Sequence, residues 1–413
     1  MTFLPRAAAP LLAQALRTMR VVVVTGPRQA GKSTFIENHP GLKDRPYFSL
    51  DDSSVLLRAR ENPSAFVRSE TRMIIDEVQR ESDLILAIKS VVDRQKPTLR
   101  GQFVLTGSAN LLLMKRVGDS LAGRAYYLRL WPMTRREQLG LASTGLWNRF
   151  FEEEVPGWLD LIRADEAPRA SWQTHSAQGG FPEVAVGGTG RDPADRALWF
   201  DGYTTTYLER DLRDLAAVAD LADFQRTMQA AALRIGNLLN QSELGRDVKL
   251  PAMTVHRYLN LLETSYQIVR LAPYAVNRTK RLIKTPKLYW NDPGLALHLG
   301  HAGTAGEPTG AHFENLVLCD LLAWRDTCVP RPEVTYWRTA AGHEVDFVIE
   351  WQRQLVGVEV KAGKQPTMKD IQGLRAFLAE HPRQARGGVV LHGGDETYWL
   401  DDKIIAVPWW RVM

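Results

Sequence analysis

VVVVTGPRQAGKST, residues 21–34, decides the fold of the first part of the chain. Four consecutive valines make the β-branched, apolar run expected of a strand buried on both faces. The turn that follows fits G-x-x-x-x-G-K-[ST], running through Gly26, Pro27, Arg28, Gln29, Ala30, Gly31, Lys32, Ser33 and Thr34. Gly26 and Gly31 let the backbone wrap, so that N–H groups face a chain of phosphates. A helix beginning at Lys32 adds its partial positive charge at the same place. Lys32 then reaches the β- and γ-phosphates, and Ser33 offers a hydroxyl to Mg²⁺. The predicted ligand is ATP with Mg²⁺.

Outward from this loop, YFSLDD at 47–52, RMIIDE at 72–77 and GQFVLTGS at 101–108 read as further strands, and LILAIKSVVDRQ at 84–95 as a helix between two of them. Strands alternating with helices imply a parallel α/β sheet. An apolar strand ending in two acids suits the metal and the lytic water. Asp76 would hold Mg²⁺ directly or through water, and Glu77 would orient and polarise the attacking water. Ser108 or Asn110, at the end of the next strand, is a candidate γ-phosphate sensor; ordinary turn chemistry explains the same residues. Arg124 reads either as an arginine finger given in trans by a neighbouring copy or as a solvated surface arginine. The first alternative requires a homo-oligomer.

GPRQAGKST, SLDD, IIDEVQR, LTGSANLLL and SLAGR together resemble a prokaryotic family of AAA-type ATP-binding proteins that carry a C-terminal domain of unknown function. The similarity continues through GGFPE, YLERDL and the segment EVDFVIE…VEVKA, so it spans nearly the whole chain. It implies ATP binding and leaves the biological role open.

Beyond about residue 140 the texture becomes helical, interrupted by GGFPEVAVGGTGRD at 179–192, with YLERDL at 207–212 on a long helix. Residues 241–290 read as a winged helix. SELGRDVKL supports it, PAMTVHRYLNLLE aligns Val255, Leu259 and Leu262 on one face, and two β-rich segments make the wing. Arg278, Lys280, Arg281, Lys284 and Lys287 cluster in that wing near His256 and Arg257. Such a cluster suits phosphate contacts with DNA; a solvated charged face, or a domain interface that borrowed the winged fold, is the alternative.

The last part reads helix, three strands, helix, strand. Glu359 and Lys361 fall on one strand face by period-two alternation, Asp346 lies on the preceding strand, and Glu314 on the helix before it. This order is similar to the PD-(D/E)XK nuclease core. The resemblance implies Mg²⁺ or Mn²⁺ held by Asp346 and Glu359 with Glu314 completing the acidic pocket, Lys361 placing the attacking water, and Gln372 as an accessory group. A core of the same fold without cutting activity is the other reading.

The chain has 413 residues, a formal net charge of +5 and 45% hydrophobic residues, which suits several soluble domains and only mildly favours a nucleic-acid partner. Two cysteines, Cys319 and Cys328, form neither a zinc spacing nor a disulfide framework, and point to a reducing, cytoplasmic setting. The apolar N-terminus lacks a basic leader and reads as an amphipathic first helix, and no apolar run is long enough to span a membrane. The expected architecture is multidomain α/β: a P-loop ATPase at 1–140, a helical segment at 141–240, a winged-helix-like domain at 241–300 and a nuclease-like α/β domain at 301–413. The leading expectation is ATP hydrolysis coupled to a nucleic-acid-directed activity, including metal-dependent DNA cleavage. The alternatives are an ATP-dependent switch that binds a protein partner, and a slow ATPase that only holds nucleotide.

Overall fold

The computed structural model describes residues 3–94, 99–107, 121–206, 220–277, 284–301 and 306–413. Ser108, Asn110, the YLERDL segment, Arg278, Lys280 and Arg281 lie outside the described residues.

Strands β1 (Val21–Thr25), β2 (Tyr47–Ser49), β3 (Met73–Asp76), β4 (Phe103–Thr106) and β5 (Ala125–Arg129) form one sheet in the order β2-β3-β4-β1-β5. Every pairing in it is parallel. The valines of β1 are buried because the strand is central and both sheet faces are covered. The Ala9–Thr18 helix covers one face with Leu11, Leu12 and Ala15. The Asp83–Arg94 helix covers the other with Leu84, Ile85, Ala87, Ile88, Val91 and Val92, a spacing close to the helical repeat. Each fully buried Leu, Ile or Val there contributes about 1.5–3 kcal/mol. Strand β5 carries no continuous apolar run. It is the sheet edge beside β1, and four of its five residues are only half-buried.

The middle of the chain packs the helices Pro193–Thr206, Leu221–Ala232, Gln241–Val248 and Ala252–Thr264 beside an antiparallel ribbon of β6 (Ile268–Leu271) and β7 (Lys287–Trp290). Asp220 and Asn240 cap two of these helices, each accepting backbone N–H bonds from the first turn. Val255, Leu259 and Leu262 are buried on the Ala252–Thr264 helix, together with Tyr258 and Leu261.

A second sheet, in the order β12-β13-β11-β10-β9-β8, closes the fold. Its strands are β8 (Glu333–Arg338), β9 (Glu344–Trp351), β10 (Gln354–Lys361), β11 (Ala385–His392), β12 (Tyr398–Asp401) and β13 (Ile404–Pro408). Strands β8, β9 and β10 run antiparallel, and β11 joins β10 in parallel. The Gly310–Thr327 helix precedes β8 and packs on one face; the Gln372–Glu380 helix packs on the other. One apolar core runs from Trp131 through the middle helices to Trp409 and Met413, so the middle and C-terminal parts share their interior. The helical stretch after residue 145 belongs to this body: Trp147 donates to Asp320 at 2.6 Å, and Phe151 meets Trp351 edge-on at 5.6 Å.

Candidate functional site

The phosphate-binding loop lies between β1 and the Lys32–Glu37 helix, at the C-terminal edge of the parallel sheet. Gly26 is required there: its φ is +143°, and a Cβ would stand 2.1 Å from the Leu130 carbonyl oxygen. The Lys32 ammonium donates to the carbonyls of Gly26 at 3.1 Å and Pro27 at 2.8 Å, so the loop's own backbone holds it inside the curl. Ser33 Oγ donates to Asp76 Oδ2 at 3.1 Å, and the Tyr47 hydroxyl donates to the same oxygen at 2.5 Å. Burial and the Asp76 carboxylate hold the Tyr47 hydroxyl well above its ordinary range, so it remains a donor. Glu77 follows in the left-handed region at φ +54°, which swings its side chain out of the strand alternation, and Gln79 donates to it.

Strand β4 lies between β1 and β3 and ends level with the loop at Thr106, which pairs with Val24. The Thr106 hydroxyl is buried with no hydrogen-bond partner among the described residues. It is a polar group of this site that the sequence reading passed over in favour of Ser108 and Asn110. The hard oxygens of Ser33 and Asp76 converge beside Lys32, which fits Mg²⁺ accompanying a nucleotide.

A cavity of about 660 Å³ opens in front of the loop, enough for a nucleotide. Arg28, Gln29, Gly31, Lys32, Ser33, Thr34 and Glu77 line one side. The lining also takes in residues from the middle of the chain: Pro182, Glu183 and Val186 of the GGFPEV segment, and Trp199, with Pro182 packed against Gly31 of the loop. That segment is fixed by Gly179, where φ is +72° and a Cβ would collide with the Asp292 carboxylate. Its neighbour Gly180 donates to Asp292 and accepts from the Met133 N–H, each at 2.6 Å. Arg6, also missed by the sequence reading, ties the loop to its surroundings. It donates to the Ala30 carbonyl at 2.9 Å and the Trp131 carbonyl at 2.6 Å, and pairs with Glu137 at 3.1 Å.

Arg124 enters β5 at the opposite, N-terminal edge of the sheet, a strand length of roughly 17 Å from its own loop. It pairs there with Asp93 at 2.5 Å and donates to the Ala122 carbonyl at 2.9 Å. Within one chain it does not reach the phosphates.

The C-terminal residues Glu314, Asp346, Glu359 and Lys361 do come together, with two additions. Lys287, from β7, lies among them: its ammonium is 2.5 Å from Glu344, 3.0 Å from Glu314 and 3.7 Å from Asp346. Lys287 is therefore not a wing residue free to meet phosphate. It is 3% exposed, because β7 is buried along its whole length. Burial pulls its pKa down, but the surrounding carboxylates outweigh burial and hold it above the ordinary range. The Tyr289 hydroxyl, on the same face of β7, donates to Glu314. Asp346 accepts the Val360 N–H at 2.9 Å, and Lys361 donates to Glu359 at 2.7 Å. Burial and then Asp346 push Glu314 up to about 7; burial also raises Asp346 and Glu359. Gln372 turns away, donating to the Met368 carbonyl at 2.8 Å. Among the described residues no group of three or more His, Cys, Asp or Glu is arranged to hold a metal ion. Each carboxylate expected to hold a divalent metal already has a lysine beside it: Glu314 and Asp346 face Lys287, and Glu359 pairs with Lys361.

Family models match three consecutive stretches: an AAA domain at 18–139, a domain of unknown function (DUF8612) at 169–306 and a domain of unknown function (DUF4143) at 309–412. Uncharacterized protein Rv2008c of Mycobacterium tuberculosis is 31% identical over 411 residues, 98% of this chain and 83% of the relative. An uncharacterized protein of Haemophilus influenzae is 21% identical over 324 residues, 73% of this chain and 74% of the relative. A solved structure titled as the Walker-type ATPase of Pyrococcus abyssi aligns with 72% of this chain and 99% of its own at 16% identity and a TM-score of 0.41. The N-terminal domain is an AAA-type P-loop ATPase-like domain, and the chain belongs to the family of Rv2008c.

Proposed function

We propose that the protein is an ATP-hydrolysing switch in which the GGFPEV segment reads whether nucleotide is bound and passes that state to the middle and C-terminal parts. The observation that carries this reading is the shared cavity: the phosphate-binding loop and Pro182, Glu183, Val186 and Trp199 line it together, and Pro182 packs against Gly31 of the loop. A nucleotide filling that space would meet both segments, and its binding energy can then depend on how they are arranged. Lys32 would bind the β- and γ-phosphates, Ser33 and Asp76 would hold Mg²⁺, and Glu77 would orient the attacking water. Bound Mg²⁺ supplies charge neutralisation at the phosphate oxygens. Three contacts behind the loop offer routes onward. The Thr25 hydroxyl reaches Tyr266 at 3.4 Å, and Asp326 accepts from Trp131 at 2.8 Å and pairs with Arg129 at 3.6 Å.

Amide hydrogen exchange tests the switch. ATP should protect residues 26–34 and also 179–206, and Lys32→Ala should abolish both effects. Protection confined to 26–34 would remove the GGFPEV segment from the mechanism.

A second reading, nucleic-acid-directed cleavage, is favoured by one observation. A helix, three antiparallel strands, a second helix and a parallel strand follow in the order of a nuclease core, with Glu314, Asp346, Glu359 and Lys361 gathered on it. Incubating single-stranded, duplex and branched DNA with Mg²⁺ or Mn²⁺, with and without ATP, tests it. Cutting that disappears in Asp346→Asn would establish cleavage; its absence on every substrate leaves the switch acting on a protein partner.

A further inference from the structure

We propose that Lys287 is the resident cation of the C-terminal acidic centre, taking up two of the carboxylates, Glu314 and Asp346, that a divalent metal would need there. The centre is then an ionic clasp joining the β6–β7 ribbon to the C-terminal sheet.

The donors come from separate elements. Glu314 projects from the Gly310–Thr327 helix, Glu344 and Asp346 from one face of β9, and Lys287 from β7 in the preceding matched domain. Three carboxylates converge on one ammonium at 2.5 to 3.7 Å. Tyr289, two residues along β7, caps Glu314 from the same face. Glu314 and Asp346, which face the ammonium, are two of the three carboxylates expected to hold a divalent metal, and Mg²⁺ would need their oxygens at about 2.0–2.1 Å. A divalent ion there would sit within about 3 Å of the ammonium, where like charges in a buried site repel strongly. Metal and lysine are therefore mutually exclusive.

The charge pairing agrees. Lys287 meets Glu314, Glu344 and Asp346, Lys361 meets Glu359, and Arg338 lies 3.4 Å from Glu344. Among the described residues four carboxylates face three cations. The excess shows at Glu359, which is 7% exposed and whose Oε2 has no hydrogen-bond partner among the described residues. The backbone of Lys287 is itself held in the ribbon, paired with Leu271 of β6. The lysine is thus built into the domain contact and does not act as a loose side chain.

The test is a Mn²⁺ titration of the full chain without nucleotide, read by the electron paramagnetic resonance of free Mn²⁺. The proteins are wild type, Asp346→Asn, Lys287→Met and the double variant. Wild type and Asp346→Asn should behave alike, because any Mn²⁺ they bind lies elsewhere. Lys287→Met should gain one site, about tenfold or more tighter than anything in the wild type, and Asp346→Asn should remove it. Its melting temperature should fall and recover partly with Mn²⁺, while ATP affinity stays that of the wild type. If Lys287→Met cannot be purified folded, refolding with and without Mn²⁺ decides; recovery only with the metal is the expected result. Asp346-dependent Mn²⁺ binding in the wild type would overturn the proposal. So would a Lys287→Met protein that takes up no Mn²⁺, or one that Mn²⁺ fails to refold. These outcomes leave the ATP switch untouched, since its reporter is hydrogen exchange at 179–206.

Discussion

The two ends of the chain each gather lysine and carboxylates at the edge of a sheet, and they use the lysine in opposite ways. At the N-terminal site, backbone carbonyls hold Lys32, and the oxygens of Ser33 and Asp76 line up beside an open cavity. At the C-terminal site, carboxylates hold Lys287 and the centre is filled. Neutral carbonyls that lose a lysine to a phosphate are left without net charge. A lysine held by three carboxylates leaves uncompensated buried charge when it moves. The first arrangement suits binding and release, the second a permanent joint.

The largest expected effect concerns a cation supplied from outside. Lys287 reaches the C-terminal centre from the same chain, whereas Arg124 faces away from its own loop and could serve only a neighbouring copy. If it does, Arg124→Ala lowers ATP turnover by about 10³-fold with ATP affinity unchanged. Mixing it with Glu77→Gln should restore part of the turnover. Turnover within twofold of wild type would reduce Arg124 to its ion pair with Asp93.

Glu77→Gln sharpens the same contrast at the chemical step. It should slow steady-state hydrolysis by about 10²-fold while preserving nucleotide binding, because it removes the group that polarises water. Asp346→Asn in the same assay should change turnover little. Equal losses in both would mean that the two sites are one functional unit.

Most of the first site was legible in the sequence, and the second was legible only in part. The valines of β1 and the apolar run of β3 announce buried strands because both sheet faces are covered there. Strand β5 gave no such signal, being a half-buried edge. The GGFPEV segment matches no chemical motif, and its place in the lining of the same cavity as the phosphate-binding loop joins residues far apart in sequence. Lys287 misled for a physical reason: in RLIKTPKLYW a buried, paired lysine has the same local pattern as a solvated one. A clue was present in KLYW, where alternation puts Lys287 and Tyr289 on one face, and in EVD, where it puts Glu344 and Asp346 on one face.

A smaller effect, in stability, follows from Glu314. Its pKa is raised from 4.5 to about 7, first by burial and then by Asp346. The folded state therefore keeps this proton more tightly than the unfolded chain does. The associated stability is complete below pH 4.5 and is lost as pH rises through about 7. Urea midpoints of the wild type should carry this downward component between those values, and Glu314→Gln should flatten it. An unchanged slope in the variant would show that Glu314 does not titrate in this range, and the filled centre would then have to balance its charge elsewhere.

The smallest effect concerns what the middle domain still offers to nucleic acid once Lys287 is assigned inward. Among the described residues His256 and Arg257 remain on an exposed face of the Ala252–Thr264 helix, beside a shallow cavity of about 420 Å³, and Lys284 lies exposed before β7. Phosphate contacts by such groups add affinity without sequence preference and weaken as salt rises. Replacing both Arg257 and Lys284 by glutamine should therefore lower duplex affinity several-fold at low salt and reduce the slope of log affinity against log salt by about 2. Lys287→Met, tested alongside, should leave that slope unchanged, because a buried ammonium releases no counterion from DNA. A slope altered by Lys287→Met and not by the exposed pair would return Lys287 to the DNA-facing side and undo the contrast between the two lysines.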